Sequence, residues 1–103
     1  MEIILDDDRP FPSNPKYSCA RTYKECTSLL NKASSISYIS LDYDLDETET
    51  GLSVLQYIKA KEIKIDHINI HSTHPVGIIL MKEYAETHFP TAALTFNYLQ
   101  TDI

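Results

Sequence analysis

Short apolar runs recur along the chain, and several of them stop abruptly at polar residues. Ile3-Ile4-Leu5 runs into Asp6-Asp7-Asp8, Ile39-Ser40-Leu41 into Asp42, and Ile68-Asn69-Ile70 into His71-Ser72. Runs this short with a sharp polar end read as buried strands. Tyr17 to Ala20 reads as a further short strand, Ile63 to Ile65 begins the return toward the strand at His67 to Ile70, and Ala92 to Tyr98 supplies the last. Between the strands, apolar residues return at helical spacing. Tyr23, Cys26, Leu29, Leu30 and Ala33 mark one helix, with Thr22 as N-cap and Glu25 three residues on as a capping-box partner. Leu52, Val54, Leu55 and Ile58 mark a second. Val76, Ile79, Leu80 and Tyr84 give a third its expected core face, with Pro75 in the first turn, where a missing N–H costs nothing. Pro10, Pro12 and Pro15 keep the stretch from Arg9 to Lys16 out of any helix, so it reads as a loop over the acidic edge.

Strands alternating with helices predict an α/β fold, a parallel sheet with helices on its faces in three layers. At 103 residues the chain suffices for one domain, 1–103, and not for two. No internal repeat or low-complexity tract interrupts it. Hydrophobic residues make up 43% and charged residues 23%, which is ordinary for a packed core at this size. The formal net charge of −6 disfavours extended nucleic-acid binding, which needs Lys and Arg against many phosphates. It leaves room for a single phosphate end held through a metal. Cys19 and Cys26 are too few for a disulfide framework and read as small packed thiols. No apolar stretch reaches the ~20 residues of a membrane helix, and the start lacks a basic leader, so a soluble cytoplasmic protein is expected.

The chemistry lies where the strands stop. In an open parallel sheet the carboxyl ends of the strands line one edge, and ligands bind there. Asp6, Asp7, Asp8, Asp42 and Asp44 would meet at that edge. Carboxylates packed together repel and resist ionisation unless a cation joins them. Oxygen-only ligands suit a hard divalent ion, Mg²⁺ or Mn²⁺.

Three segments carry a resemblance. Leu5-Asp6-Asp7-Asp8-Arg9-Pro10 opens the chain, Ser40-Leu41-Asp42-Tyr43-Asp44-Leu45 with Gly51 follows, and His71-Ser72-Thr73-His74-Pro75-Val76-Gly77 comes third. In this order they resemble the cyclic-phosphate processing receiver domains, a divergent branch of the receiver domains of phosphorelay proteins. The departures are the extra Asp, Tyr43 where His is common and His74 where Asn is common. The resemblance implies a flavodoxin-like sheet of order 2-1-3-4-5, with the first crossover helix replaced by the proline-bearing loop. It also implies metal held by Asp6, Asp7 and Asp42, and handling of a cyclic phosphate on a small molecule or an RNA terminus, with RNA-repair proteins as partners. The lysine that reads an acyl phosphate in ordinary receivers is missing after the last strand, where Phe96-Asn97-Tyr98 stands.

On this reading Asp44, two residues beyond Asp42 and on the same face of an extended chain, completes the metal's ligands or acts as base. His71 is expected to carry protons as general acid, or else to be a hydrogen-bonded strand-end histidine. Ser72 donates to a phosphoryl oxygen or caps the next turn. Arg9 clamps phosphate or pairs with Asp7 or Asp8. His74 contacts substrate, and His71 with His74, three apart, offers a zinc alternative. Gly77 lets phosphate approach backbone amides, or simply packs tightly, and Gly51 serves backbone geometry. His67 and His88 receive no role. The expected function is a metal-dependent phosphoesterase opening a cyclic phosphate. The alternatives are a receiver-like signalling or protein-binding module with Asp42 as phosphoacceptor, and a degenerate domain that binds without turnover. The pattern sets no oligomeric state.

Overall fold

The sharp-ended apolar runs become strands in the computed structural model, which describes residues 1–97. The chain order is β1 (Glu2–Leu5), β2 (Tyr17–Ala20), α1 (Tyr23–Lys32), β3 (Ser35–Ile36), β4 (Tyr38–Leu41), α2 (Gly51–Ala60), β5 (Lys64–Ile65), β6 (His67–Ile70), α3 (Pro75–His88) and β7 (Ala93–Thr95). Five strands form one parallel sheet in the order β2-β1-β4-β6-β7. Counting only these five along the chain, that is the expected 2-1-3-4-5. The two-residue strands β3 and β5 pair separately and were not anticipated as a sheet. The last strand ends at Thr95, and Tyr98, expected at its end, lies outside the described residues.

Handedness decides which face each helix covers. Parallel strands are joined by right-handed crossovers in nearly all folds. The connections through α1, α2 and α3 all step the same way along the sheet, so their helices share one face. The β1 to β2 step runs the opposite way, so its crossover belongs to the other face. That crossover is the proline-bearing segment 6–16, which contains no helix, as expected. Of the three layers, the one on this side is therefore supplied by loop among the described residues.

The core follows from strand parity. Ile3, Leu5, Ile39, Leu41, Ile68 and Ile70 meet Cys26, Leu30, Val54, Leu55, Ile58, Met81 and Ala85 of the helices. Each fully buried aliphatic side chain contributes roughly 1.5–3 kcal/mol. The alternate positions Ile4, Ser40 and Asn69 face the other side and are buried as well.

Helix α3 departs from its expected orientation. Its buried residues are Gly77, Met81 and Ala85, while Val76, Ile79 and Leu80 are exposed. The spacing of four was present, but Gly77 and Ala85 flank Met81 in it, so the stripe was not uniformly hydrophobic. A Cβ at Gly77 would overlap the Tyr43 ring, so only glycine lets α3 sit this close to the chain leaving β4.

Caps fix the helix starts that feed the site. Thr22 accepts from the Glu25 amide at 3.1 Å, as expected, but Glu25 reaches back to the Arg21 amide (2.7 Å) rather than to Thr22. Glu47, in the loop between β4 and α2, accepts from the first amide of α1, at Tyr23, 2.8 Å away. An anion there also complements the helix dipole.

Candidate metal and phosphate site

The sheet ladder continues one residue past each central strand, and this fixes the site. The Asp6 amide donates to Ala20, the Asp42 amide to Leu5 and the His71 amide to Leu41, at 3.0–3.1 Å. Three side chains from three strands are thus held side by side on ordered backbone. Asp6, Asp42 and His71 each bring a ligand atom within 4.8 Å of the others.

Above them opens a pocket of about 740 Å³, lined by Asp6, Asp7, Asp8, Arg9, Asp42, Asp44, Asp46, Ser72, Thr73, His74 and Pro75. It brings together the expected Asp6, Asp7, Asp42, Asp44, Arg9, Ser72 and His74. It adds Asp46, which adopts a left-handed conformation (φ 54°) with its amide donating to Asp44 at 3.0 Å. Asp tolerates this region better than most residues.

His71 and Gly77 are expected at the pocket and lie outside it. His71 is buried beneath the floor. Its Nδ1 lies 2.6 Å from the Ser40 hydroxyl and its Nε2 3.0 Å from Asp6 Oδ2. With both nitrogens engaged and the ring shielded, it cannot carry a proton to a substrate in this arrangement; it orients Asp6. The Gly77 amide is already committed to His74 Nδ1 at 2.9 Å, so it is not a free phosphate donor. Tight packing against Tyr43 is its role. The His71 and His74 zinc pair does not form either, because His74 caps α3 and stacks on Tyr43 with centroids 4.8 Å apart. Capping through Nδ1 leaves His74 Nε2 as its remaining polar atom.

Ser72 caps the next turn, as one of its two readings expected. Its oxygen accepts from the His74 amide at 3.0 Å, and its hydroxyl bonds the Asp42 carboxyl. Gly51 donates its amide to Tyr43 at 3.0 Å, and a Cβ there would overlap the Asp42 carbonyl oxygen. Glycine is needed for this close approach of α2 to the strand end, and not for a positive φ.

Charge in the site is unevenly distributed. Burial by itself would raise the Asp6 carboxyl, but the hydrogen bond from His71 and the amides of Arg9 and Asp8 outweigh it and bring it to about 2. Asp42 is pushed up by burial and then by Asp6 and Asp7, with His71 and Ser72 opposing. Asp7 is likewise raised by burial and by Asp6, Asp44 and Asp8. Carboxylates that hold one another off in this way fit a bound cation, whose charge would relieve the repulsion. The carboxylate oxygens facing the pocket could serve as ligands to a metal ion.

Sequence reasoning missed Arg21. Its guanidinium donates to the carbonyls of Asp6 (3.2 Å) and Arg9 (2.7 Å) and lies over the Phe11 ring, 3.9 Å from the centroid. It pins the segment from Asp6 to Arg9 after β1. Ser40, quoted only as part of a motif segment, and Asn69 are polar residues in the middle of apolar strands and received no role from the sequence.

Among the described residues no helix is long and apolar enough to cross a membrane. Comparison with curated proteins and with solved structures finds no match for the chain. Comparison with protein families matches residues 1–87 to the family described as the cyclic-phosphate processing receiver domain. That span contains all three motif segments, β1 to β6 and nearly all of α3, so the chain belongs to the cyclic-phosphate processing receiver domain family.

Proposed function

We propose that this domain is a metal-dependent phosphoesterase that opens a cyclic phosphate at a nucleotide or RNA terminus. The observation that carries the reading is the pocket itself: six aspartates with Arg9, Ser72 and His74 at the carboxyl edge of the sheet. A phosphate cannot enter such a field without a cation to offset it. Asp6, Asp7 and Asp42 would hold Mg²⁺ or Mn²⁺, which would polarise a phosphoryl oxygen and lower the pKa of a bound water.

The chain's own residues have distinct parts. Asp44 has one carboxylate oxygen tied to the Asp46 amide. Its other oxygen takes the proton of the attacking water and returns it to the leaving oxygen. One P–O bond forms to water, one ring P–O bond breaks, and the product is an open monoester beside a free hydroxyl. His74 Nε2 and Arg9 orient the phosphoryl oxygens. His71 is a positioning residue behind Asp6.

The alternative is a non-enzymatic module in which Asp42 accepts a phosphoryl group. No lysine is among the pocket residues, which counts against reading an acyl phosphate there. The test is a short RNA ending in a 2′,3′-cyclic phosphate, incubated with Mg²⁺, Mn²⁺ or chelator. Opening with metal that disappears in chelator and in Asp42→Asn supports the proposal. Turnover that persists in excess chelator overturns it.

A further inference from the structure

Behind the pocket a chain of buried polar groups crosses the sheet on the face opposite the helices. Strand parity puts Ser40 and Asn69 on that face, opposite one another in the β4–β6 pairing, and Asp6, Asp42 and His71 continue it past the strand ends. Ser40, Asn69, His71 and Asp6 are all buried, and every buried side-chain polar atom among the described residues has a partner.

The direction of each bond in this chain can be worked out from its two ends. The backbone of Asn97 fixes the Asn69 amide, because an N–H must donate and a carbonyl must accept. Asn69 Oδ1 accepts from the Asn97 amide at 3.0 Å, and Asn69 Nδ2 donates to the Asn97 carbonyl at 2.9 Å. Thr95 donates to the same Oδ1 at 2.6 Å. Nδ2 therefore faces Ser40 and donates to its oxygen at 2.9 Å. The Asp6 carboxylate can only accept, so the hydrogen of a neutral His71 ring sits on Nε2, and the Ser40 hydroxyl donates to Nδ1, 2.6 Å away. An imidazole that accepts at Nδ1 carries its hydrogen on Nε2, where it donates to Asp6 Oδ2. The ring then has no lone pair to offer a metal at Nε2.

We infer that Asn69 and Ser40 are positioning residues: they orient the His71 ring and so hold Asp6 as an oriented carboxylate with its remaining capacity turned to the pocket. The inference rests on the metal-dependent reading only for its consequence, since the hydrogen-bond polarity stands without it. Partners behind a metal ligand commonly change metal affinity 10- to 100-fold when removed.

The test compares wild type with Asn69→Asp, an isosteric change that cannot donate to Ser40. Ser40 then gives its hydrogen to the new carboxylate, and His71 Nδ1 loses the donor that orients the ring. Long-range ¹⁵N–¹H spectra of metal-free protein read this directly: Nε2–H with a hydrogen-bonded, accepting Nδ1 in wild type, and loss of that accepting Nδ1 signature in Asn69→Asp. Mn²⁺ affinity, read from the free-ion electron paramagnetic resonance signal, should fall about 10-fold. Ser40→Ala should weaken Mn²⁺ binding similarly, and Ser40→Thr, which keeps the hydroxyl, should restore it, so the conclusion does not hang on one variant folding. A wild-type ring with Nδ1–H overturns the inference, as does wild-type Mn²⁺ affinity in folded Asn69→Asp or Ser40→Ala. If wild type binds no Mn²⁺ the metal-dependent function fails, and the ring spectra still decide the relay.

Discussion

Asp42→Asn should stabilise the metal-free protein while abolishing its response to metal. The Asp6 and Asp42 carboxylates approach within 4.8 Å. Two full charges at that separation repel by about 3.5 kcal/mol at an effective dielectric of 20. Asp6 is partly matched by His71 and two amides, and an asparagine at 42 can keep the Ser72 bond, so a net gain of about 1–2 kcal/mol is expected. For a domain of this size that raises Tm by roughly 5–10 °C. The pH dependence follows the same sign. Asp42 is raised above 3.8 in the folded state, so ionising it costs stability at neutral pH, and the cost disappears as pH falls through its folded value toward 3.8. Mg²⁺ at 100 times its Kd adds about 2.7 kcal/mol to wild type, so the order of melting reverses when metal is present. Thermal denaturation followed by circular dichroism, in chelator and then in Mg²⁺, reads all of this. A variant that melts below wild type in chelator, or gains as much from Mg²⁺, would refute the reasoning.

Other changes separate neighbouring parts of the account. Asp6 moves opposite to Asp42: its carboxyl is held at about 2 against 3.8, so its contribution is present above 3.8 and lost as pH falls through about 2. That contribution is on the order of 2 kcal/mol, and acid titration of stability in wild type and Asp6→Asn would show it. Arg21→Met should cost about 2–3 kcal/mol through two lost charge-assisted bonds, and should weaken Mg²⁺ binding by loosening the loop; chemical denaturation and calorimetry measure the two effects. Gly51→Ala should be worse than Gly77→Ala, because the first overlaps a backbone carbonyl, that of Asp42, and the second a side-chain ring. About 1–3 kcal/mol is expected for Gly77→Ala and more for Gly51→Ala, read from their denaturation midpoints.

The topology was legible because each strand announced its end. A run such as Ile39-Ser40-Leu41 meeting Asp42 marks both a buried segment and the edge where it stops, and three such edges in one parallel sheet must meet. The proline-bearing loop was legible for the same local reason. Helix α3 misled because hydrophobicity was counted and size was not. Val76, Ile79 and Leu80 looked like a core face, while Gly77 and Ala85 were buried for fit against Tyr43 and the sheet. His71 was open to two readings, a proton carrier or a hydrogen-bonded strand-end histidine, and the sequence alone does not choose between them. Only three-dimensional structure shows that Ser40 and Asp6 take both its nitrogens. The clue was available in the strands: Ser40 and Asn69 are polar at alternate positions between Ile and Leu residues, where a buried polar group must find a partner. Arg21 gave no comparable signal, since its two acceptors are backbone carbonyls 12 and 15 residues away.

The most direct measurement of the central claim uses one folded sample and two substrates. The protein, with Mn²⁺, is given an RNA ending in a 2′,3′-cyclic phosphate and, separately, a small phosphodonor, and the intact masses of RNA and protein are read. The account predicts that the RNA gains one water and the protein gains no phosphoryl group. An unchanged RNA beside a phosphorylated protein, with the adduct lost in Asp42→Asn, would contradict it.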